Sequence, residues 1–450
     1  MVPTLIPDTD MIKNALSLLC LSATLAYAVS DRPNVILIMA DDLGIEALGC
    51  YGGASYNTPN LDRLAAEGVR FDDAHSVPLC TPTRVALMTG KYNFRNWLAF
   101  GILDPEAKTF GHWFSEAGYK TCISGKWQLR SYNPPDFQPE WRNRGMRAED
   151  SGFHEYFLWH TEHTEDKASR FPDPRIQANG KYLTDTKSQY GPDLYVDYVN
   201  DFIERNQEEP FFVYYPMALT HGPFNPTPDS EAWRNGNRFE SSPDKYFGDM
   251  VEYMDKLIGR IDSKLHDLGI RHNTMLIFYS DNGTPKEVVS KMRDGRAIRG
   301  GKGENNRRGT HVPLIINWPA GQAGGRVVSD LVDTTDFIPS MFEAANIPLP
   351  TDEIFDGHSF IPQLRGEKGN PRDWVFIHHD PLPGHNKKGR SISRWIQDKR
   401  YQLFDETGDN QFYDFTTDPE LLYPIDLKKA DAETRAAHTR LKKALSKMHN

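Results

Sequence analysis

Four short runs of consecutive apolar, β-branched or aromatic residues, each bounded by turn residues, stand out along the chain: Val35–Met39, Phe211–Tyr215, Met275–Tyr279 and Leu314–Trp318. Such runs lack alternation, as expected of strands covered on both faces. Helical patterns lie between them. Thr58-Pro59 supplies an N-cap and a first-turn proline, Leu61, Leu64 and Ala65 share one face, and Gly68 stops the helix. Across Phe247–Leu268, Met250, Met254, Leu257, Ile258, Ile261 and Leu265 recur at three- and four-residue steps, which predicts the longest amphipathic helix. The alternation predicts an α/β fold with a large central, mostly parallel sheet flanked by helices. Between about Asn133 and Gly191 the pattern dissolves into Pro, Gly, Asn and charge, which reads as long surface loops over the sheet edge. From Trp374 the texture changes again. Trp374–His378, Ile392–Ile396, Tyr401–Phe404 and Gln411–Phe415 read as short antiparallel strands, and Ala430–Met448 as a Lys/Arg-rich final helix. The expected division is a main α/β domain over 29–365 and a small C-terminal α+β subdomain over 366–450.

Composition narrows the class. A chain of 450 residues, 38% hydrophobic and 12% aromatic with 34 Gly and 31 Pro, has the make-up of a large loop-rich globular protein. Its formal charge of −10 leaves no Lys/Arg excess to displace counterions from a phosphate backbone, so nucleic acid is not an expected partner. At the N-terminus Lys13 precedes the apolar run Ala15–Ala26 and the small-x-small triplet Ala26-Tyr27-Ala28. Residues 1–28 therefore read as an export signal cleaved after Ala28, giving a periplasmic or secreted protein with no membrane span after removal. Cys50, Cys80 and Cys122 are too few for a disulfide framework, and spacing alone leaves open whether Cys50 and Cys122 pair.

The candidate chemistry sits where the apolar runs end. Val35–Met39 leads into Asp41-Asp42-Leu43-Gly44, and Met275–Tyr279 into Asp281-Asn282-Gly283. In α/β sheets ligands bind at the carboxyl ends of the strands. Adjacent Asp41 and Asp42 repel unless a cation neutralises them, and with Asp281 and Asn282 they form an oxygen set suited to Ca²⁺ or Mg²⁺ rather than zinc. Two ordinary turns are the plainer reading of the same residues. In Ser76–Arg84, Pro82 fits a first helical turn, so Cys80 stands at a helix N-terminus beside Arg84, where dipole and guanidinium favour an anion. As a bare thiol it reads either as a small buried cysteine or as an activated nucleophile.

Six motifs in order now carry a resemblance: the Asp41-Asp42 turn, Thr58-Pro59-Asn60-Leu61-Asp62, Cys80-x-Pro82-x-Arg84 with its Thr-Gly-Lys-Tyr end, Gly125-Lys126-Trp127, Thr220-His221-Gly222-Pro223 and Ser280-Asp281-Asn282-Gly283. Together they resemble the type I, formylglycine-dependent sulfatases, arylsulfatase-like members of the alkaline phosphatase superfamily. The resemblance implies a sulfuric ester hydrolase in which Cys80 is oxidised to formylglycine by a formylglycine-generating or equivalent maturation enzyme. One oxygen of the formylglycine hydrate attacks sulfur and expels the alcohol; the other collapses to the aldehyde and ejects sulfate. It also implies Asp41, Asp42, Asp281, Asn282 and residue 80 as ligands of Ca²⁺, ahead of Mg²⁺ or Mn²⁺. Arg84 orients the formylglycine, Lys126 and Lys302 hold sulfate oxygens, and His221 protonates the leaving alcohol. Lys302 is assigned from Arg299-Gly300-Gly301-Lys302-Gly303, ahead of the Val312–Ile316 strand. A solvated lysine in a Gly-rich loop and a structural turn histidine are the plainer readings of Lys302 and His221.

Two departures from the family pattern stand out. Where relatives carry histidine after Lys126-Trp127, this chain has Gln128, a substrate-side residue that cannot transfer a proton. The usual Glu-Gly-Gly-x-Arg stretch after Lys302 is replaced by Arg307-Arg308-Gly309-Thr310-His311, charge that serves a polyanionic substrate or, as the slightly favoured reading, a salt-bridged surface. Trp97, Trp113, Trp127, Trp141 and Trp159 with His154, His160 and His163 suit a sugar, so a sulfated glycan is expected ahead of a simple aryl sulfate or other sulfated small molecule. The rival readings are a phosphodiesterase or phosphonate monoester hydrolase of the same superfamily, and an inert sulfatase-like binding protein, for which Gln128 is the only argument.

Overall fold

The computed structural model describes residues 32–130, 144–162, 167–380 and 392–448. Ten strands form the main sheet: β1 Asn34–Ala40, β2 Val69–His75, β3 Lys120–Lys126, β4 Glu155–Trp159, β5 Ile176–Ala178, β6 Lys181–Tyr182, β7 Phe211–Pro216, β8 Thr274–Ser280, then, after the β9–β10 hairpin (Val289–Lys291, Ala297–Arg299), β11 His311–Asn317 and β12 Arg326–Asp333. Their spatial order is β12-β2-β11-β8-β1-β7-β3-β4-β5-β6. Five of the nine pairings are parallel and put β1 at the centre, with Val35 opposite both Phe212 of β7 and Met275 of β8.

Every residue of β1 is buried because successive side chains enter different cores. Val35, Leu37 and Met39 join the cluster on one face, while Ile36, Ile38 and Ala40 join the cluster on the other. Helices α1 Pro59–Glu67, α4 Gly191–Arg205 and α5 Pro243–Asp267 cover the second face; α2 Cys80–Thr89, α3 Phe110–Glu116 and α6 Phe337–Ala344 cover the first. Aromatic rings tie the first layer to the sheet, with Phe114 stacked on Phe212 at 4.2 Å and Phe110 edge-on to Tyr214 at 5.1 Å.

The sheet departs from expectation in two places. Residues 314–317 of the predicted apolar segment lie in β11, which runs antiparallel to both β2 and β8, so the sheet is mixed. The stretch read as loops between 133 and 191 contains β4, β5 and β6, which extend the sheet on that side; Tyr156, Phe157, Leu158 and Trp159 supply the buried run. Beyond the main sheet, β13 Val375–His379, β14 Ser393–Gln397, β15 Tyr401–Phe404 and β16 Phe412–Asp414 form an antiparallel sheet in sequence order. Helix α7, Ala432–Leu445, lays Ala437, Leu441 and Leu445 against Phe376, Ile396, Leu403 and Phe412. Arg372 braces the approach to this sheet, with Asp336 at 2.6 Å, the Tyr92 hydroxyl at 2.9 Å and Thr335 at 3.0 Å.

Cys50 and Cys122 do not pair; both are free, and burial pushes both thiols up. Among the described residues no helix is long and apolar enough to cross a membrane. The expected export signal, Trp141 and His163 lie outside the described residues.

Candidate active site

Three strand ends are stitched together by main-chain bonds. The Asp281 N–H donates to the Ala40 carbonyl at 3.1 Å, Asp41 N–H to Leu219 O at 2.8 Å, and Thr220 N–H to Asp41 O at 2.6 Å. β1 stops at Ala40 because the next residues are charged, and Asp42 turns the chain with φ of 68°, a conformation Asp tolerates better than most residues. The Asp42 N–H donates to Asp281 Oδ1 at 3.1 Å, locking the two acidic turns. The Thr83 hydroxyl takes the Val77 N–H and lies 2.6 Å from the Asp281 carbonyl, which pins the start of α2, and so Cys80, beside Asp281.

Asp41, Asp42, Asp281 and Asn282 are essentially inaccessible, and their charge is answered by three cations. Lys126 Nζ lies 2.6 Å from Asp41 Oδ2, Lys302 Nζ 2.5 Å from Asp42 Oδ2, and Arg84 Nη2 2.8 Å from Asp281 Oδ2. Gly301 and Gly303 let Lys302 reach in. A side chain at 301 would meet Arg308 Cβ at 2.4 Å, and Gly303 has φ of 77°. Burial alone would raise the Asp41 carboxyl, but Lys126, His221, Arg84 and Lys302 hold it far below the usual range. Asp42 is lowered likewise against its burial, chiefly by Lys302 and His221. Asp281 goes the other way, pushed up to about 7 by burial and the Asp41 charge, with Arg84 opposing. Burial raises the Cys80 thiol, while Lys126 pulls it down.

Two oxygens stand out. Asp41 Oδ1 and Asn282 Oδ1 are buried without a hydrogen-bond partner, a costly state for a polar atom unless a cation meets it. Ligand atoms of Asp41, Cys80 and Asp281 fall within 4.8 Å of one another, and so do those of Asp41, Asp42 and His221. The donor set thus fits a hard divalent cation.

His221 stands at the rim with 27% of its side chain exposed and Nε2 3.7 Å from Asp42 Oδ2. Its Nδ1 is 2.6 Å from the Gly222 carbonyl, so Nδ1 carries the proton in the neutral ring and Nε2 presents its lone pair to the site. Burial pushes this imidazole down to about 3, against the pull of Asp42 and Asp41. Gln128 is buried just past β3, and its N–H donates to His160 O at 3.2 Å.

The fold thus brings together Asp41, Asp42, Cys80, Arg84, Lys126, His221, Asp281, Asn282 and Lys302, all chosen from sequence. The aromatic residues are a correction. Trp127 and Trp159 are buried core side chains whose Nε1 atoms donate to the Met146 and Lys167 carbonyls, and His154 is bonded to Thr121, so none of these three forms a sugar platform. Arg307 pairs with Asp73 at 2.8 Å and Arg308 with Glu304 at 2.8 Å, which favours a salt-bridged surface over a polyanion track. Sequence reasoning missed Lys167 and Arg170. Lys167 interacts with Lys126 and Arg170 with Asp41 and Asp42, but no motif or periodicity marks them.

Residues 33–347 match the family model described as Sulfatase, and residues 306–450 the model described as N-sulphoglucosamine sulphohydrolase, C-terminal. The chain is 31% identical over 431 residues to Arylsulfatase A of Homo sapiens, covering 89% of this chain and 80% of that protein. It is 31% identical over 391 residues to the N-acetylgalactosamine-6-sulfatase of Canis lupus familiaris, covering 79% and 70%. A solved protein from a Bacteroides thetaiotaomicron locus for metabolism of multiple glycosaminoglycans superimposes with a TM-score of 0.72 at 25% identity, over 93% of this chain and 99% of that one. The phosphonate monoester hydrolase of Agrobacterium radiobacter shares the fold, with a TM-score of 0.66 at 21% identity over 93% and 96%.

Proposed function

The chain belongs to the sulfatase family and is a sulfate ester hydrolase, and from that premise we propose that it cleaves the sulfate ester of a carbohydrate with a formylglycine formed from Cys80 and a divalent ion, best Ca²⁺. The observation that carries the mechanism is the pair of unpartnered oxygens, Asp41 Oδ1 and Asn282 Oδ1, buried beside Cys80 and Asp281. Asp41, Asp42, Asp281, Asn282 and residue 80 would hold the ion, and the Cys80 thiol marks where the formylglycine oxygens would stand. Bound there, the ion and the aldehyde hydrate supply a polarised sulfuryl group and an oxygen nucleophile.

The remaining steps belong to the chain's own residues. Arg84, held on Asp281 and in reach of the Lys126 carbonyl at 3.4 Å, fixes the geometry around residue 80. Lys126 and Lys302 converge from opposite sides through their contacts with Asp41 and Asp42, so a sulfate entering between them meets two fixed ammonium groups. His221 Nε2 takes up a proton within the site and gives it to the leaving alcohol oxygen, while Gly222 O holds the ring orientation through Nδ1. The names of relatives such as N-acetylgalactosamine-6-sulfatase support a sugar ester. Export through residues 1–28, the division at about residue 365 and maturation by a formylglycine-generating enzyme belong to the same reading.

Matched sulfate and phosphate or phosphonate esters of one alcohol test it, with Cys80→Ala as control. Turnover of the sulfate ester that Cys80→Ala abolishes is the expected result. Faster turnover of the phosphorus ester would favour a phosphonate monoester hydrolase, and no turnover of either by matured protein would favour an inert binding protein.

A further inference from the structure

Arg170 is 8% exposed, yet no described carboxylate pairs with it, and its Nη1 is buried without a hydrogen-bond partner. An unanswered buried guanidinium is costly. Its guanidinium carbon lies 4.2 Å from the centre of the Trp159 ring and 5.8 Å from that of Phe171. Trp159 ends β4 directly opposite Lys126 on β3, so Arg170 stands at the carboxyl end of the sheet, on the side of Lys126 away from Asp281. Burial lowers the Arg170 guanidinium while Asp41 and Asp42 raise it, and Arg170 in turn depresses His221, so its charge is felt in the catalytic cluster. Lys167, whose carbonyl accepts the Trp159 Nε1–H, is pushed down to about 8 by burial, Arg170 and Lys126, the mark of crowded cations.

Asp41, Asp42 and Asp281 already have Lys126, Lys302 and Arg84, and the scissile sulfate has the two lysines. Among the described residues, Arg170 has no carboxylate of its own. Resting on the sulfate-ester reading above, we propose that Arg170 binds a second oxyanion of the substrate, a sulfate or a carboxylate beside the scissile sulfate on the Trp159 side of Lys126. The substrate class is therefore a doubly anionic sulfated saccharide. A guanidinium over an indole face can offer its free donors as a fork, which suits a planar carboxylate or two sulfate oxygens equally.

The test uses full-length Cys80→Ala protein, which cannot consume an ester, and three probes: a hexosamine monosulfate, the same hexosamine with a second sulfate, and a hexuronate monosulfate. Calorimetry should show at least one doubly anionic probe binding about 10- to 100-fold more tightly than the monosulfate, the worth of a charge-assisted hydrogen bond, and the two such probes tell sulfate from carboxylate. Adding Arg170→Gln should bring that ratio close to one, and Arg170→Lys should restore part of it. Equal binding of all three probes would overturn the proposal even if Arg170→Gln failed to fold. A uniform loss across all probes in Arg170→Gln would also overturn it, placing Arg170 on the scissile sulfate instead. Turnover of the same esters by matured wild-type protein is scored separately: hydrolysis without preference sinks only the second oxyanion, whereas absent hydrolysis sinks the sulfatase reading.

Discussion

Replacing His221 by Gln removes the one motif imidazole at the rim while keeping a polar side chain of similar reach. Burial holds its pKa down, to about 3, so the free imidazole is unprotonated at neutral pH. The proton therefore comes from within the reaction: Nε2, unprotonated because Nδ1 is committed to Gly222 O, accepts it in the site and releases it to the departing oxygen. Such assistance is worth roughly 10²–10⁴-fold. His221→Gln should lose that factor on sugar or alkyl sulfates, whose alkoxides leave poorly, and less than about tenfold on 4-nitrophenyl sulfate, whose phenoxide needs no proton. A series of aryl sulfates of graded leaving-group acidity reads this as a steeper dependence of kcat/KM in the variant. In wild type, kcat/KM should show no inflection attributable to His221 between pH 5 and 8, because the ring is neutral throughout that range. Equal losses for good and poor leaving groups would refute the assignment, and so would a wild-type inflection near pH 6.5 that vanishes with His221.

Further outcomes follow from the same geometry. The tryptic peptide Phe71–Arg84 from protein matured in a competent host should be lighter than its coded mass by mass spectrometry, since Cys80 is expected as formylglycine, and an unmodified peptide in active protein would refute the nucleophile. Chelation should abolish activity and lower Tm, since the ion stabilises only the folded state and its removal exposes Asp41, Asp42 and Asp281 to one another; active protein free of divalent metal by elemental analysis would contradict this. Arg372→Ala removes the buried partner of Asp336 and should cost about 3–5 kcal/mol by denaturant unfolding. His75, His311 and His379 all have folded-state pKa values below the ordinary 6.5, pushed down first by burial. The unfolded chain thus binds protons first, so these groups make stability fall as pH drops below about 6.5, and His379→Gln should flatten the slope between about pH 6.5 and 4.

The parts of the fold that read correctly from sequence are those where burial is one-dimensional. Val35–Met39 and Met275–Tyr279 are apolar throughout because both faces of β1 and β8 are covered, and the acidic pairs that end them mark the ligand edge without further information. Strand direction left no such trace. The apolar residues of β11 are the same whether it runs with or against β8, and direction follows from how the 301–310 segment returns past Asp42 with Lys302. β4 was obscured because His154 and Glu155 precede its buried Tyr156–Trp159 run and turn-rich residues surround it. The tryptophans misled for a related reason. Trp127 stands between Lys126 and Gln128 in sequence yet is buried just past β3, and Trp159 closes the buried run of β4.

Gln128 and Arg170 share an origin in that hidden geometry. Gln128 follows β3, Trp159 lies opposite Lys126 at the end of the same pairing, and Arg170 rests on Trp159. On this side of the site the family's titratable imidazole is absent and a permanently charged guanidinium is present. A guanidinium cannot shuttle a proton, so the substitution at 128 is not repaired by Arg170. With Gln128 in place of the imidazole and Arg170 beside it, this rim is set for electrostatic binding rather than proton transfer. His221, across the site on the loop after β7, is left as the motif histidine that can move a proton. On that division Gln128 is not a defect that argues for an inert protein, since an enzyme whose substrate brings a second negative charge gains more at this rim from a fixed cation than from a base that the neighbouring Lys126, Lys167 and Arg170 would keep deprotonated.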